Sequence, residues 1–343
     1  MSVRLAGLLV LLGVTVAACG AQATPPASVA TAAPSASVPA TRPAEATATA
    51  TSTLPAPTPT APVSTPAAGA GATGQAGVAP RDVPRVQALP RAAGDRTRLV
   101  VLDPGHAEDE VGAAANGVVE KHSNLDMAMR VEALLQQQGV RAVLTRRADE
   151  RAYAPGTVVT GNSATRRDLQ ARIDLANDLN ADFFVSLHSN GATSTAERGV
   201  EVYWDSGRPF ADLNQQLATS IQAAVIGEMA AAGVPVTDRG AKDDACLRFF
   251  RGRCFPLFVL GPGRSTTGEE IIQRGGTPAE LGLAPGQSTV TSRATQMPGA
   301  LVELLFVSSP EDAALLRSDD ARNAMARGVV RGIIEQLNRT APR

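Results

Sequence analysis

Three histidines occur among the 343 residues, and two of them stand where metal chemistry is favoured. His106 follows the run Val101-Leu102-Asp103-Pro104-Gly105, and His188 ends the run Phe184-Val185-Ser186-Leu187, so each sits at or just past the end of an expected strand. Singly, each reads as an ordinary surface or hydrogen-bonded histidine; paired at strand ends, they become candidate ligands. A hydrolytic zinc site needs three protein ligands of N or O type and one open position for water. Glu120, just ahead of an expected helix, supplies a third candidate, while Glu108, Asp109 and Glu110 compete with it on spacing alone. A further acid, Glu303, lies inside the apolar run Ala300-Leu301-Val302-Glu303-Leu304-Leu305-Phe306. An ionised carboxylate in such a strand is costly unless it is paired or close to a metal, which argues for a chemical role.

The elements that must position these residues are legible as apolar periodicity. Leu99 to Leu102 reads as a buried strand, and Ser123 to Gln138 as a helix with Ser123 as N-cap, Leu125, Ala128, Val131 and Leu135 on one face, and Gly139 closing it. Val140 to Leu144 is a second strand and Thr165 to Asn180 a second helix, with Leu169, Ile173, Ala176 and Leu179 inward. Strands over Phe183 to Leu187 and Val200 to Trp204 follow, then a long helix over Phe210 to Ala232. A late strand from Ala300 to Leu305 precedes two helices, Pro310 to Leu316 and Asp319 to Leu337. Alternating strands and helices predict a single α/β domain whose mostly parallel central sheet carries helices on both faces. In such sheets ligands gather outside the carboxyl ends of the strands, which is where both histidines fall.

In order along the chain stand Asp103-Pro104-Gly105-His106, Glu120-Lys121 with Asn124-Leu125, Thr145-Arg146, Arg172 with Ala176-Asn177, and Ser186-Leu187-His188-Ser189-Asn190. Gly199-Val200-Glu201-Val202-Tyr203, Arg239-Gly240 and Leu301-Val302-Glu303 complete the series. This series resembles the zinc-dependent N-acetylmuramoyl-L-alanine amidase family, with the catalytic domain called amidase type 3, over nearly the whole globular part. The resemblance implies His106, Glu120 and His188 as ligands of Zn2+ and Glu303 as the catalytic carboxylate. It implies peptidoglycan as substrate, with cleavage of the amide between N-acetylmuramic acid and L-alanine. Asn190 is a candidate for holding substrate or the second ligand loop, Asp103 and Arg172 are candidates for supporting the ligands, and His122 reads as a rim residue. Two departures stand out: Ala107 and the acidic Glu108 to Glu110 follow the first histidine where the family has glycine, and Leu304-Leu305-Phe306 follows Glu303 in place of Gly-Phe. Two other readings share these residues: a zinc peptidase acting on the stem peptide, and a catalytically silent wall-binding lipoprotein.

Ahead of the domain, one positive charge in Met1 to Arg4, an apolar run from Leu5 to Val16 and the sequence Val16-Ala17-Ala18-Cys19 read as a lipoprotein signal over residues 1–19. Cys19 is then the lipidated residue, which predicts attachment to a membrane in the cell envelope. Residues 20–95, dominated by Ala, Thr, Pro, Ser, Gly and Val, cannot bury enough side chain to offset ordering and read as a tether. A flexible chain of that length spans on the order of 45–50 Å. Residues 96–343 are the catalytic domain, within which 262–298, rich in Gly, Pro, Thr and Ser, is longer than a simple connection and reads as an inserted segment that partly covers the cleft. Some members of the family carry a covering helix that a partner displaces, so a regulatory activator protein is an expected partner. Cys246 and Cys254 pair as a disulfide in an oxidising compartment, since no histidine lies near them to complete a metal site. A formal net charge of −1 excludes a nucleic-acid footprint, and the glycines at 261, 263, 275 and 276 follow no strand-to-helix phosphate loop.

Overall fold

In the computed structural model the apolar runs of the sequence become one six-stranded sheet with helices against it. The structure describes residues 76–78, 84–86, 88–89, 92, 94–154, 162–250, 253–269 and 289–341. In chain order the elements are β1 (Ala76–Val78), β2 (Leu99–Pro104), β3 (Ala114–Ala115), β4 (Val118–Val119), α1 (Glu120–Gln137), β5 (Arg141–Leu144), α2 (Asn162–Asp178), β6 (Phe183–Asn190), β7 (Val200–Trp204) and α3 (Ala211–Ala231). They continue with β8 (Asp238–Asp243), β9 (Arg248–Phe250), β10 (Arg253–Phe255), β11 (Ser265–Thr267), β12 (Thr289–Thr291), β13 (Gly299–Phe306), α4 (Pro310–Arg317) and α5 (Asp319–Arg339).

The sheet order is β5-β2-β6-β13-β7-β8. Pairings are parallel from β5 through β13, antiparallel between β13 and β7, and parallel again between β7 and β8. Because side chains alternate along a strand, the sheet feeds two separate cores. One face, with Val100 and Leu102 of β2, Val185 and Leu187 of β6 and Val302 of β13, packs on α1, α3 and α5 through residues such as Val131, Leu217 and Val329. Gly328 and Gly332 of α5 let that helix lie directly on α3, where a Cβ would come within 2.5 Å of the Val225 and Ile221 backbones. The opposite face, with Leu99, Val101, Phe184 and Leu301, packs on Ile173 and Ala176 of α2 and on Val259, Leu260 and Met297.

Several boundaries differ from those read in the sequence. α1 begins at Glu120, three residues before the expected Ser123 cap, because Glu120 N and Lys121 N donate to the carbonyls of Ala113 and Val111. The short β3–β4 ladder places the Ala113 carbonyl there, and a carboxylate in the first turn suits the helix dipole. Ser123 lies inside the helix, with its hydroxyl 3.2 Å from that of Ser189. β8, polar and without an apolar run, carried no strand signal; it is an edge strand, half-exposed for most of its length, paired to β7 alone. Ser309 and Ser318 cap α4 and α5, each accepting a hydrogen bond from the third residue on, a contribution of about 1 kcal/mol apiece.

The tether assigned to 20–95 contributes to the folded unit before residue 96. Ala76–Val78 pairs in parallel with β12, Arg85 N donates to the Ala152 carbonyl, and Val86 and Ala88 pack on the second core. Isolated apolar residues in a polar, proline-rich stretch give no periodicity from which such docking can be read. Cys19 and the 1–19 segment lie outside the described residues, as do residues 270–288 of the 262–298 segment. The described flanks of that segment are part of the architecture: Arg293 pairs with Asp174, Asn177 donates to Ala294 O and accepts from Gln296 N, and Met297 is buried under the sheet. Cys246, two residues ahead of β9, is bonded to Cys254, the middle residue of β10.

Candidate metal centre

β2 and β6 are neighbours and parallel, so their carboxyl ends bring Gly105-His106 and His188 to one edge of the sheet. The turn after β2 is close-fitting: Gly105 N donates to the Leu187 carbonyl, and a Cβ at Gly105 would fall 2.1 Å from Cε1 of His188. His106 itself takes a left-handed backbone, φ 64°, which turns its ring back over the strand ends. The two imidazoles meet edge to face with centroids 4.9 Å apart. Glu120, at the first position of α1, points one oxygen between them: Oε1 lies 2.9 Å from His106 Nε2 and 2.9 Å from His188 Nδ1. Its Oε2 accepts a hydrogen bond from Ala113 N at 2.7 Å. The three ligand atoms lie within 4.8 Å of one another, and among the described residues this is the one group of three or more His, Cys, Asp or Glu side chains so arranged.

The donor set fits a zinc ion. Two imidazole nitrogens and a carboxylate oxygen are the ligand types of hydrolytic sites. The free nitrogen of His106, Nδ1, is 2.7 Å from Glu110 Oε1, the outer partner that fixes the tautomer of a ligating histidine. Burial disfavours charge on both partners, yet the hydrogen bonds outweigh it. Glu110 and Glu120 hold the pKa of His106 at about 9, and the two histidines hold Glu120 well below the usual carboxylate range. A positive charge is thus favoured at the place where a cation would sit.

Two buried arginines fix the loops that carry the ligands. Arg172 donates to Asp103 Oδ1 at 2.8 Å, to Pro104 O at 2.6 Å, to His106 O at 3.2 Å and, through Nε and Nη2, to Asp168 Oδ2 at 3.0 and 2.8 Å. Arg146 donates to the carbonyls of Pro104, Gly105, Ala148 and Lys121, tying the His106 turn to the start of α1. Asp103 is satisfied by the side chains of Thr145, Ser186 and Arg172, so neither it nor Arg172 reaches an imidazole ring; Arg172 acts on the backbone carbonyls of Pro104 and His106, and Asp103 holds Arg172 in place. Asn190 donates to Glu201 Oε1 at 2.8 Å and accepts from Gly191 N. His122 lies on the rim, with 61% of its side chain exposed.

Glu303 stands beside the triad by strand register. On β13 it is opposite His188 of β6 on one side and Glu201 of β7 on the other, so the three side chains form a row on one sheet face. The ladder then shifts register between Glu303 and Phe306, with Leu305 at φ 68°, and this bulge ends regular pairing just past the acid. Glu303 Oε2 is buried and has no hydrogen-bond partner. Burial raises its pKa to about 7, with Glu120 and Glu201 adding to the rise and His188 and His106 opposing it. A carboxyl poised near neutrality can both take and give a proton.

The structure brings together the four residues that the sequence singled out, His106, Glu120, His188 and Glu303; sequence reasoning did not offer Glu110 as the His106 partner, although its spacing of four from His106 was visible. It also missed the structural need for Gly105, which follows from the approach of β6 and has no local signal.

Residues 100–335 match the family model described as N-acetylmuramoyl-L-alanine amidase. The chain belongs to this amidase family. The amidase LytC of Bacillus subtilis is 34% identical over 146 residues, covering 43% of this chain and 25% of LytC. The amidase AmiC of Neisseria meningitidis is 28% identical over 256 residues, covering 72% of this chain and 55% of AmiC. The chain thus spans about a quarter and about half of these two relatives. The fold is shared with the CwlD amidase of Clostridioides difficile, solved in complex with the GerS lipoprotein, at a TM-score of 0.52 and 19% identity over 71% of this chain and 100% of that one.

Proposed function

We propose that the family member described here is a zinc-dependent peptidoglycan hydrolase that cleaves the amide between N-acetylmuramic acid and L-alanine. The observation that carries the reading is the convergence of His106, Glu120 and His188 next to an acid, Glu303, held in register by β13. His106 through Nε2, Glu120 through Oε1 and His188 through Nδ1 would hold the ion. When bound, zinc supplies Lewis acidity that polarises a carbonyl and lowers the pKa of water toward neutrality.

Glu303 takes the proton of the attacking water as the carbon–oxygen bond forms, and returns it to the nitrogen of L-alanine as the carbon–nitrogen bond breaks. Its buried, unpartnered Oε2 supports this role, because a carboxylate without donors is basic enough to accept that proton. Arg146, Arg172 and Glu110 hold the ligands still and contact no substrate in this scheme.

The signal-like segment ending at Cys19 supports a lipid-anchored, extracytoplasmic enzyme, and the solved complex of CwlD with a lipoprotein supports control by a protein partner. The test is release of L-alanine amino groups from purified sacculi with zinc, with chelator and by Glu303→Gln. Loss on chelation, recovery with zinc, and a zinc-loaded but inactive Glu303→Gln are expected. Release of amino groups of other stem residues instead would point to a peptidase.

A further inference from the structure

The row that places Glu303 extends past it to a second charged cluster. Glu201 is 2% exposed and both of its oxygens are occupied: Oε1 accepts from Asn190 Nδ2 and from the Tyr203 hydroxyl, each at 2.8 Å. Oε2 accepts from Arg239 Nε at 2.7 Å and from Lys242 Nζ. These donors outweigh burial and keep Glu201 ionised. Each cation spends one donor on Glu201. Arg239 Nη1 turns outward to Glu197 and to Arg198 O, and the guanidinium lies 4.9 Å over the ring of Phe306, at the carboxyl end of β13. Lys242 keeps 37% of its side chain exposed. Cationic donors therefore remain on the β8 side of Glu303. On the β2 side of the triad the wall is acidic: Glu108, Asp109 and Asp149 are met by Lys121 and Arg151, and Glu110 by His106.

Resting on the amidase reading, we infer that Arg239 and Lys242 select a free carboxylate on the residue that follows L-alanine in the substrate. The glycan side of the scissile bond carries no charge, since the muramic carboxyl is consumed in the amide itself, so carboxylates lie only on the peptide side. That side must also face Glu303, which protonates the departing nitrogen, and the strand row puts Arg239 and Lys242 beyond Glu303 and away from the acidic wall. Glu201 acts as a positioning residue: it holds both cations at one point and leaves their remaining N–H groups for the ligand. A carboxylate bridging Arg239 and Lys242 would gain charge-assisted hydrogen bonds, whereas its primary amide would set an N–H group against them.

The test compares N-acetylmuramoyl-L-alanyl-D-glutamate with its D-isoglutamine amide, the γ-carboxyl being blocked as the methylamide in both so that only the α-carboxylate differs, using the zinc-loaded full chain. The wild type is expected to favour the free acid by about ten- to a hundred-fold in kcat/KM, expressed mainly in KM. Lys242→Met should bring the ratio toward one, and Lys242→Glu should invert it, with thermal melting confirming that both variants are folded. Release of L-alanine amine from the amide substrate establishes the amidase reading by itself. A wild-type ratio near one, or a preference that persists in both Lys242 variants, would overturn the inference and leave that reading standing. Release from neither substrate would sink both.

Discussion

Gly105→Ala is the smallest change that should disable the metal centre while sparing the fold. The added Cβ would lie 2.1 Å from His188 Cε1 and 2.2 Å from Nε2, against a glycine whose backbone is not in the left-handed region, so the conflict is with the ring alone. Ordinary carbon contacts begin near 3.5 Å, so the imidazole must retreat by roughly 1.4 Å. Its Nδ1 now sits 2.9 Å from Glu120 Oε1, and a retreat of that size takes the nitrogen out of the ligand sphere shared with His106. The stability cost should stay small, about 1–2 kcal/mol, because the ring is partly exposed and able to swing. Function should suffer far more: zinc affinity falls by at least about 10–100-fold, in line with the effect of disturbing a ligand's support. Turnover at saturating zinc falls by about 100-fold for a displacement near 1 Å. Competition with a chromogenic chelator reads the affinity, amine release from sacculi reads turnover, and thermal melting reads stability. Wild-type zinc affinity and turnover in a folded Gly105→Ala would refute the placement of His188 as a ligand.

Two further predictions concern buried acids. Glu303 must be ionised to act as a base, and burial sets its pKa at about 7, so kcat/KM should rise with pH up to that region and fall tenfold per unit below it. Bound zinc should move this limb to lower pH, and an acid limb that survives unchanged in Glu303→Asp and in metal-substituted enzyme would contradict the assignment. Away from the centre, Asp205 and Asp244 are fully buried neighbours; Asp205 Oδ1 accepts from Gly207 N and Asp244 Oδ2 from Leu257 N, while Asp205 Oδ2 and Asp244 Oδ1 receive no donor from any other residue. Burial and the neighbouring Asp205 push Asp244 up to about 8. The folded state therefore holds a proton that the unfolded state releases above pH 3.8. Stability should decline by up to about 1.4 kcal/mol per pH unit from there to about pH 8 and then level off. Asp244→Asn, which supplies a permanent donor, should flatten that slope in denaturant titrations; an unchanged slope would exclude the shared proton.

The periodicity of apolar residues was enough to place most strands and helices of the central sheet, because a buried strand and an amphipathic helix each impose their own repeat on the chain. The residue types and the strand-end positions of His106 and His188 were enough to name a candidate metal centre, since few side chains suit zinc and strand ends are where a parallel sheet opens to solvent. What the sequence left open was decided by neighbours distant along the chain. On spacing alone Glu120 competed with Glu108 to Glu110; in the structure Glu120 is the acid that reaches both imidazoles, because the Val111 and Ala113 carbonyls just ahead of β3 start α1 three residues early. Glu110 instead turned to the outer nitrogen of His106. The row from His188 through Glu303 to Glu201, and the cations of β8 beyond it, exist only because β13 inserts between β6 and β7 and reverses the direction of pairing. Strand order is a property of long-range packing, and no local signal in these segments encodes it.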